Sequence, residues 1–261
     1  MFLRKMTKNK DKNNKKKTLD VGTGLSMLPG GWSFGEEIAD NFDDHIARSI
    51  PSYDETHKLA LRLSDFFLSD KSILVDIGSS SGSFVEKICD HHEDRNSLEI
   101  KCIEIEKHFC DYAMNIFKKK GLTKKHNIKV LNEDITKISM EEESVDLFTS
   151  FYTLQFIKPS ERSKVLKKIY KSLKWGGGLI LYEKVRGSDA RFQDMLNHLL
   201  NLEKLDNGFL PQEIFSKSVS LAGKMEPFSD FGNRQILESV GFKDIEIVFK
   251  HINFQGYLCI K

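Results

Sequence analysis

The chain has 261 residues, of which 39% are hydrophobic and 30% charged, a balance that predicts a soluble globular protein with one sizeable core. No apolar run reaches the length of a membrane span, and the opening MFLRKMTKNKDKNNKKK has basic charge without the apolar segment of a secretory leader. The net charge of +2 hides an asymmetry: residues 1–17 carry eight Lys or Arg and one Asp, and the rest of the chain is mildly acidic. Such a segment reads as a disordered tail, with the domain boundary at residue 30 and a single domain over 31–261. It serves as a solubilising end or, alternatively, as a weak electrostatic tether to nucleic acid. Residues 18–35 are glycine-rich and expected to be irregular. From Glu36 the pattern turns helical, with Ile38, Phe42 and Ile46 on one face, and Pro51 ends it. A second helix is predicted over 54–68. Then SILVDIG forms a short continuous apolar run, as expected of a central parallel strand buried on both faces.

Beyond that strand the elements alternate. GSFVEKICDHH reads as helix, LEIKCIEI as strand, EKHFCDYAMNIFKKKG as helix, NIKVLN as strand, and SVDLFTSFYTLQF contains another strand. In SERSKVLKKIYKSLKWGGG the stripe Val165, Leu166, Ile169, Tyr170 and Leu173 marks a helix, with Ser160 as its expected cap and Gly176–Gly178 as its expected stop. GLILYEKV is a strand, two helices follow near 189–205 and 211–223, and a last helix around 233–239 leads into two strands with a short connection. The alternation predicts a doubly wound, Rossmann-like α/β sheet, mostly parallel, with N-terminal helices and an antiparallel C-terminal hairpin. Cys89, Cys102, Cys110 and Cys259 show no C-x-x-C pairing and read as reduced thiols of a cytoplasmic protein. No metal is expected: His91, His92 and Glu93 are adjacent, and adjacent residues do not share a helix face.

The turn VDIGSSSGSF, at the end of the first central strand, has almost no side-chain bulk. In open α/β sheets ligands bind beyond the carboxyl ends of the strands. Gly78 and Gly82 permit tight backbone geometry, and the N–H groups around Ser79 and Ser80 can face a carboxylate or phosphate. Asp76 beneath the turn suits an ammonium group better than a pyrophosphate. Glu104 ends the next strand, where an acid grips ribose hydroxyls, and Asp134 follows the third, where an acid accepts from an exocyclic adenine amine. Three acids after three successive strands, with the terminal hairpin, describe S-adenosylmethionine rather than NAD. Tyr152, Thr153 and Gln155 follow the fourth strand and are placed either to meet a substrate or to hydrogen-bond their own loop. Arg48, with Tyr53, is placed to close over the methionine end. No catalytic base stands out, and methyl transfer requires little beyond alignment and exclusion of water.

Five segments, WSFGEEIADNFDDHIARSIPSYD, VDIGSSSGSF, YTLQFIKPSER, KIYKSLKWGGGLILYEK and FKHINFQGYLCIK, resemble the carboxy-S-adenosylmethionine synthase family, class I methyltransferase-fold proteins of the tRNA wobble-uridine pathway. The resemblance covers nearly everything after residue 30. It implies cofactor contacts at Tyr53, Gly78, Ser79, Ser80, Glu104, Ile105, Asp134, Ile135 and Phe151, and a homodimer. The chain departs from the family's Asp-Asn at Glu104-Ile105 and from its Asn at Phe151. Ser218 stands where the family carries an arginine that pairs with the extra carboxylate of the carboxylated cofactor. The leading expectation is therefore a methyltransferase built on this scaffold, with plain S-adenosylmethionine as cofactor and an unidentified small-molecule or nucleic-acid acceptor. The alternatives are a true carboxy-S-adenosylmethionine synthase using prephenate, which needs a cation near Ser218, either Lys217 or Arg234 brought there by rearrangement or by a neighbouring subunit, since Lys217 in a helix is expected to point elsewhere, and a non-catalytic S-adenosylmethionine-binding partner protein. An NAD dehydrogenase, lacking its diphosphate turn, is the weakest.

Overall fold

A computed structural model describes residues 19–22, 25–27, 41–95 and 97–261. The basic segment 1–17 and the expected helix start at Glu36 lie outside the described residues. The described chain opens with an antiparallel ribbon of Leu19–Gly22 (β1) and Leu25–Met27 (β2), where irregular chain and a tail reaching to residue 30 were expected. Val21 and Met27 are buried with Phe42 and Phe109, so the ribbon is a packed part of the fold. Phe42–Ser49 (α1) and Tyr53–Ser64 (α2) follow, separated by Pro51. The alternating part runs Ile73–Ile77 (β3), Ser83–His91 (α3), Glu99–Glu104 (β4), Lys107–Lys119 (α4), Leu122–Lys125 (α5), Asn127–Asn132 (β5), Val145–Phe151 (β6), Pro159–Ser172 (α6) and Leu173–Lys184 (β7). Ala190–Asp206 (α7), Pro211–Leu221 (α8) and Asp230–Val240 (α9) lead to the hairpin Asp244–His251 (β8) and Phe254–Ile260 (β9).

The main sheet has the order β5-β4-β3-β6-β7-β9-β8. Its first five strands are parallel, and β9 inserts antiparallel between β7 and β8. The alternation of side chains along β3 feeds both faces. Leu74 packs with Phe84, Ile88 and Phe117 of α3 and α4, while Val75 and Ile77 pack with Val165, Leu166 and Ile169 of α6. A fully buried Phe or Leu of this kind contributes roughly 1.5–3 kcal/mol, so the central strands are held from both sides. The strand order reverses at β3, whose neighbours β4 and β6 are reached by crossovers in opposite directions. The crevice beyond its carboxyl end is where a ligand site belongs.

One boundary differs from expectation. Ser160 does not cap α6, which starts with Pro159 in its first turn, and the helix ends at Ser172 rather than at the glycines. Leu173 is buried and pairs with Val145. That pairing draws the chain into the sheet directly, and β7 runs on through Gly176–Gly178.

Candidate active site

At the carboxyl ends of β3, β4 and β6 lies a cavity of about 780 Å³, within the size range of small-molecule sites. The turn after β3 forms its floor. Gly78 takes φ +69, and a Cβ there would strike the side chain of Thr153. Glycine is therefore required twice, by the backbone conformation and by the close approach of the loop after β6. Ser80 also has positive φ (47), a strained conformation of the kind that gathers at ligand sites. Gly82 differs from expectation: it does not line the cavity. It is the N-cap of α3 with φ +79, and a Cβ there would collide with Phe117 and Ala113 of α4, so it serves helix packing.

The three acids line one wall. Asp76 accepts from Thr149 Oγ1 at 2.7 Å, and burial pushes its carboxyl up to about 7 against that hydrogen bond, with Glu104 adding repulsion. Glu104 accepts from the backbone N–H of Ser80 and of Glu106, both at 2.9 Å. Burial raises its pKa and these bonds oppose the rise. Its carboxylate thus braces the β3 turn and faces the crevice. Asp134 accepts from the N–H and hydroxyl of Thr136 at 2.9 and 2.7 Å. Burial pushes its pKa up, but Thr136 and Lys137 outweigh burial and leave it below the ordinary value. Ile105 and Ile135 complete this wall.

The opposite wall is aromatic. Phe151 stacks on Tyr182 with ring centroids 5.1 Å apart, and packs edge-on to His57 and against Phe84. Tyr53 tilts over His57 at 4.4 Å. His57 is buried and neutral, its pKa lowered to about 3 by burial and then by Lys87, whose Nζ lies 3.0 Å from Nδ1. Its buried Nε2 has no hydrogen-bond partner among the described residues. Tyr152 has φ 57 and its ring is buried. Thr153 Oγ1 donates to Ile77 O at 3.1 Å, and Gln155 Oε1 accepts from Lys184 N at 3.2 Å. These two line the cavity and also hold the loop together, as one of the two readings of the sequence required.

On the third side only Lys217 was among the expected candidates, and Lys184 and Lys204 were not. Lys184 at the end of β7, Lys204 on α7 and Lys217 on α8 all reach the cavity. Lys217 is buried, with Nζ 2.7 Å from His45 Nε2 and 2.6 Å from Ser49 Oγ. Burial, then Lys204 and Lys184, drive its pKa well below the ordinary lysine value. Burial and Lys184 lower Lys204 to about 8, and burial lowers Lys184. His45, buried beside Lys217, falls to about 2. Ser218 is exposed on α8 and does not line the cavity. The inward face of that helix carries Ser216, Lys217 and Ser220, so the Lys217 amine, expected to point elsewhere from a helix, faces the cavity instead. Arg48 is also displaced from the expected role. Its Nε and Nη2 donate to Asn207 O at 3.1 and 3.0 Å, and its guanidinium lies 5.2 Å from the Phe209 ring centroid. It fastens α1 to the α7–α8 connection and does not line the cavity.

These features fit S-adenosylmethionine. The cavity has the volume, a carboxylate at the turn for an ammonium group, acids at β4 and β5 for ribose and adenine, and an orphaned imidazole nitrogen on its wall. Comparison with known proteins agrees. A family model described as a methyltransferase domain matches residues 74–177. The carboxy-S-adenosyl-L-methionine synthase of Staphylococcus epidermidis is 34% identical over 238 residues, covering 91% of this chain and 100% of that protein. The synthase of Campylobacter hominis is 33% identical over 230 residues, covering 88% and 94%. Among solved structures, a SAM-dependent methyltransferase from Aquifex aeolicus superposes with a TM-score of 0.56 at 18% identity, covering 87% of this chain and 99% of that one. Human N-acetylserotonin methyltransferase in complex with SAM gives 0.57 at 17%, covering 87% and 56%. The structural matches establish the fold, and the sequence matches go further: this chain belongs to the carboxy-S-adenosyl-L-methionine synthase family and is an S-adenosylmethionine-dependent transferase of the class I methyltransferase fold.

Proposed function

We propose that the chain transfers a one-carbon group between S-adenosylmethionine and a small carboxylate-bearing partner, and that the lysine-lined end of the cavity holds that partner. The observation that carries this reading is the convergence of Lys184, Lys204 and Lys217 on a cavity whose other wall carries Asp76, Glu104 and Asp134. One ligand with an ammonium, a ribose and an adenine satisfies the acids. An anion suits the three lysines, of which Lys184 lowers the pKa of Lys204 and both lower that of Lys217. In this reading Asp76 takes the ammonium, the N–H groups of Ser79 and Ser80 the carboxylate, Glu104 the ribose and Asp134 the adenine amine. Ile105, Ile135, Tyr53 and Phe151 enclose the rings. The cofactor supplies a methyl group activated by its sulfonium. The protein contributes orientation and exclusion of water.

Methyl transfer to an anionic acceptor is the first reading. Formation of the carboxylated cofactor, with prephenate as donor, is the second, and the place of Lys217 favours it, because its buried amine faces the cavity and a carboxylate beside it would favour the protonated form. A desolvated carboxylate without a paired cation is penalised. The exposed apolar side chains along α7, Phe192, Met195, Leu199 and Leu202, support a homodimer, and four buried reduced cysteines fit the cytoplasm. A role in tRNA modification rests on the family resemblance alone. Mass spectrometry of the ligand retained on purification, followed by incubation with S-adenosylmethionine and prephenate, separates the readings. A carboxylated product establishes the second. Turnover only with other carboxylate acceptors supports the first. Binding without turnover across such acceptors makes the chain a non-catalytic partner and defeats both.

A further inference from the structure

The carboxyl-terminal ends of α2 and α3 meet at a point that shares no residue with the cavity. Asp65 is the C-cap of α2, His91 is the last residue of α3, and His92 is its C-cap. His91 Nε2 lies 3.0 Å from Asp65 Oδ1, and His92 Nδ1 lies 3.8 Å from the same oxygen. One metal-ligand atom from each residue falls within 4.8 Å of the others. Adjacent residues diverge inside a helix, but the helix ends here. His92 takes φ −101 and ψ 42, and the two imidazoles stand edge to face, 84° apart.

The hydrogen bonds around His92 fix its tautomer. Ser64 Oγ donates its proton to Leu61 O at 2.6 Å. At 2.8 Å from His92 Nε2 it therefore accepts, and Nε2 carries the ring proton. Nδ1 of the neutral ring is left with a lone pair next to a carboxylate oxygen, and two such acceptors repel unless a cation lies between them. Both helices point the negative ends of their dipoles at this junction, which favours a cation. Asp94 adds to that field and Arg95 opposes it. Ser64 supplies what a ligating histidine requires, a partner on its other nitrogen.

We infer that Asp65, His91 and His92 form a transition-metal site, for zinc, that pins the end of α2 to the end of α3. Two imidazoles and one carboxylate are a borderline donor set that suits Zn²⁺ rather than Mg²⁺ or Ca²⁺. With metal–ligand bonds of about 2.0–2.2 Å, tetrahedral ligand atoms lie roughly 3.3 Å apart, so small rotations of exposed side chains close the site. A fourth position is left for water. The two helices carry Tyr53, His57 and Phe84 of the cavity wall, so the metal would stiffen that wall from outside.

The test uses full-length, tag-free protein stripped with a chelator and titrated with ZnCl₂ by calorimetry and with CoCl₂ by absorption. The expected result is one equivalent bound, a tetrahedral Co²⁺ spectrum and a raised melting temperature with zinc. Asp65→Asn and His91→Ala change exposed side chains and leave the core intact. Each should weaken zinc binding about tenfold or more, and Ser64→Ala about tenfold through loss of the outer partner. Failure of the wild type to bind zinc overturns the assignment. So does equal affinity in the wild type and the Asp65→Asn, His91→Ala double variant.

Discussion

Asp76 carries opposed demands in one carboxyl. Thr149 Oγ1 is its hydrogen-bond donor, and burial lifts its pKa from 3.8 to about 7. The folded, ligand-free chain therefore binds a proton that the unfolded chain has released. The stability this group contributes is fully present below the unfolded value and is lost as pH rises through the folded value. Above neutrality the buried charge is a cost, and a bound ammonium offsets it. Asp76→Asn keeps the shape of the side chain and removes the charge. At alkaline pH the variant should melt no lower than the wild type without ligand, yet bind S-adenosylmethionine about 2 kcal/mol or more weakly, the loss of a charge-assisted partner. Wild-type affinity should rise as pH passes neutrality, and that of the variant should stay flat. Calorimetry in buffers spanning neutrality tests both, and unchanged affinity in the variant removes Asp76 from the site. Arg48 gives a contrasting case. Arg48→Ala removes two hydrogen bonds to Asn207 and the contact with Phe209. It should lower stability by about 1 kcal/mol in denaturant melts with ligand affinity unchanged, whereas a direct role at the methionine end would show as weakened binding.

At the scale of elements, α7 and α8 are amphipathic in reverse. Their inward faces carry Lys204, Ser216, Lys217 and Ser220 beside only Leu200 and Leu221 among the cavity-lining apolar residues, while Phe192, Met195, Leu199, Leu202 and Phe215 face outward. A core-facing helix normally shows the opposite arrangement. This arrangement is why the lysine end of the cavity escaped a reading of apolar periodicity, while Ser218 was placed at the pocket by the family resemblance. The parallel strands and the turn were legible for the converse reason. β3 is buried on both faces and reads as an unbroken apolar run with one acid, and the turn after it, from Gly78 to Ser80, has too little side-chain bulk to pack as core. The placement of α8 makes a sharp prediction. Lys217→Met replaces a buried amine with an apolar side chain of similar length, and its effect on stability should be confined to the lost hydrogen bonds to His45 and Ser49, about 1 kcal/mol each. It should weaken binding of a carboxylate substrate or carboxylated cofactor by about 2 kcal/mol or more, through the anion left unpaired. Ser218→Arg should leave ligand preference unchanged, because the new side chain faces solvent. Competitive binding of plain and carboxylated S-adenosylmethionine to both variants decides it. A switch of preference in Ser218→Arg with none in Lys217→Met would return the site to position 218.

Across the whole molecule, the sheet order follows from the alternation of strands and helices, since each parallel pair needs a crossover and crossovers keep one hand. The chain before residue 41 was less legible. β1 and β2 have four and three residues, too few for an alternation to register, and they sit in a glycine-rich stretch that reads as loop. Their stability comes from tertiary contact rather than from local pattern. Val21 and Met27 are buried against Phe42 of α1 and Phe109 of α4, and a Cβ on Gly22 would strike Phe209, between α7 and α8. The ribbon thus touches the helices that carry Phe42 and Lys217 to the cavity. Two truncations separate the tail from the ribbon. Removing residues 1–17 should leave the melting temperature unchanged, because that composition supplies no core. It should also flatten the salt dependence of any nucleic-acid binding, by the loss of eight basic side chains. Removing residues 1–27 deletes Val21 and Met27 from a packed cluster and should cost roughly 3 kcal/mol or more, the burial of two apolar side chains, together with weaker binding at the lysine end. Thermal melts of the two truncations beside the full chain test this. A drop as large for 1–17 as for 1–27 would place the ordered boundary before Leu19, and equal stability of all three would show that the ribbon adds nothing to the core.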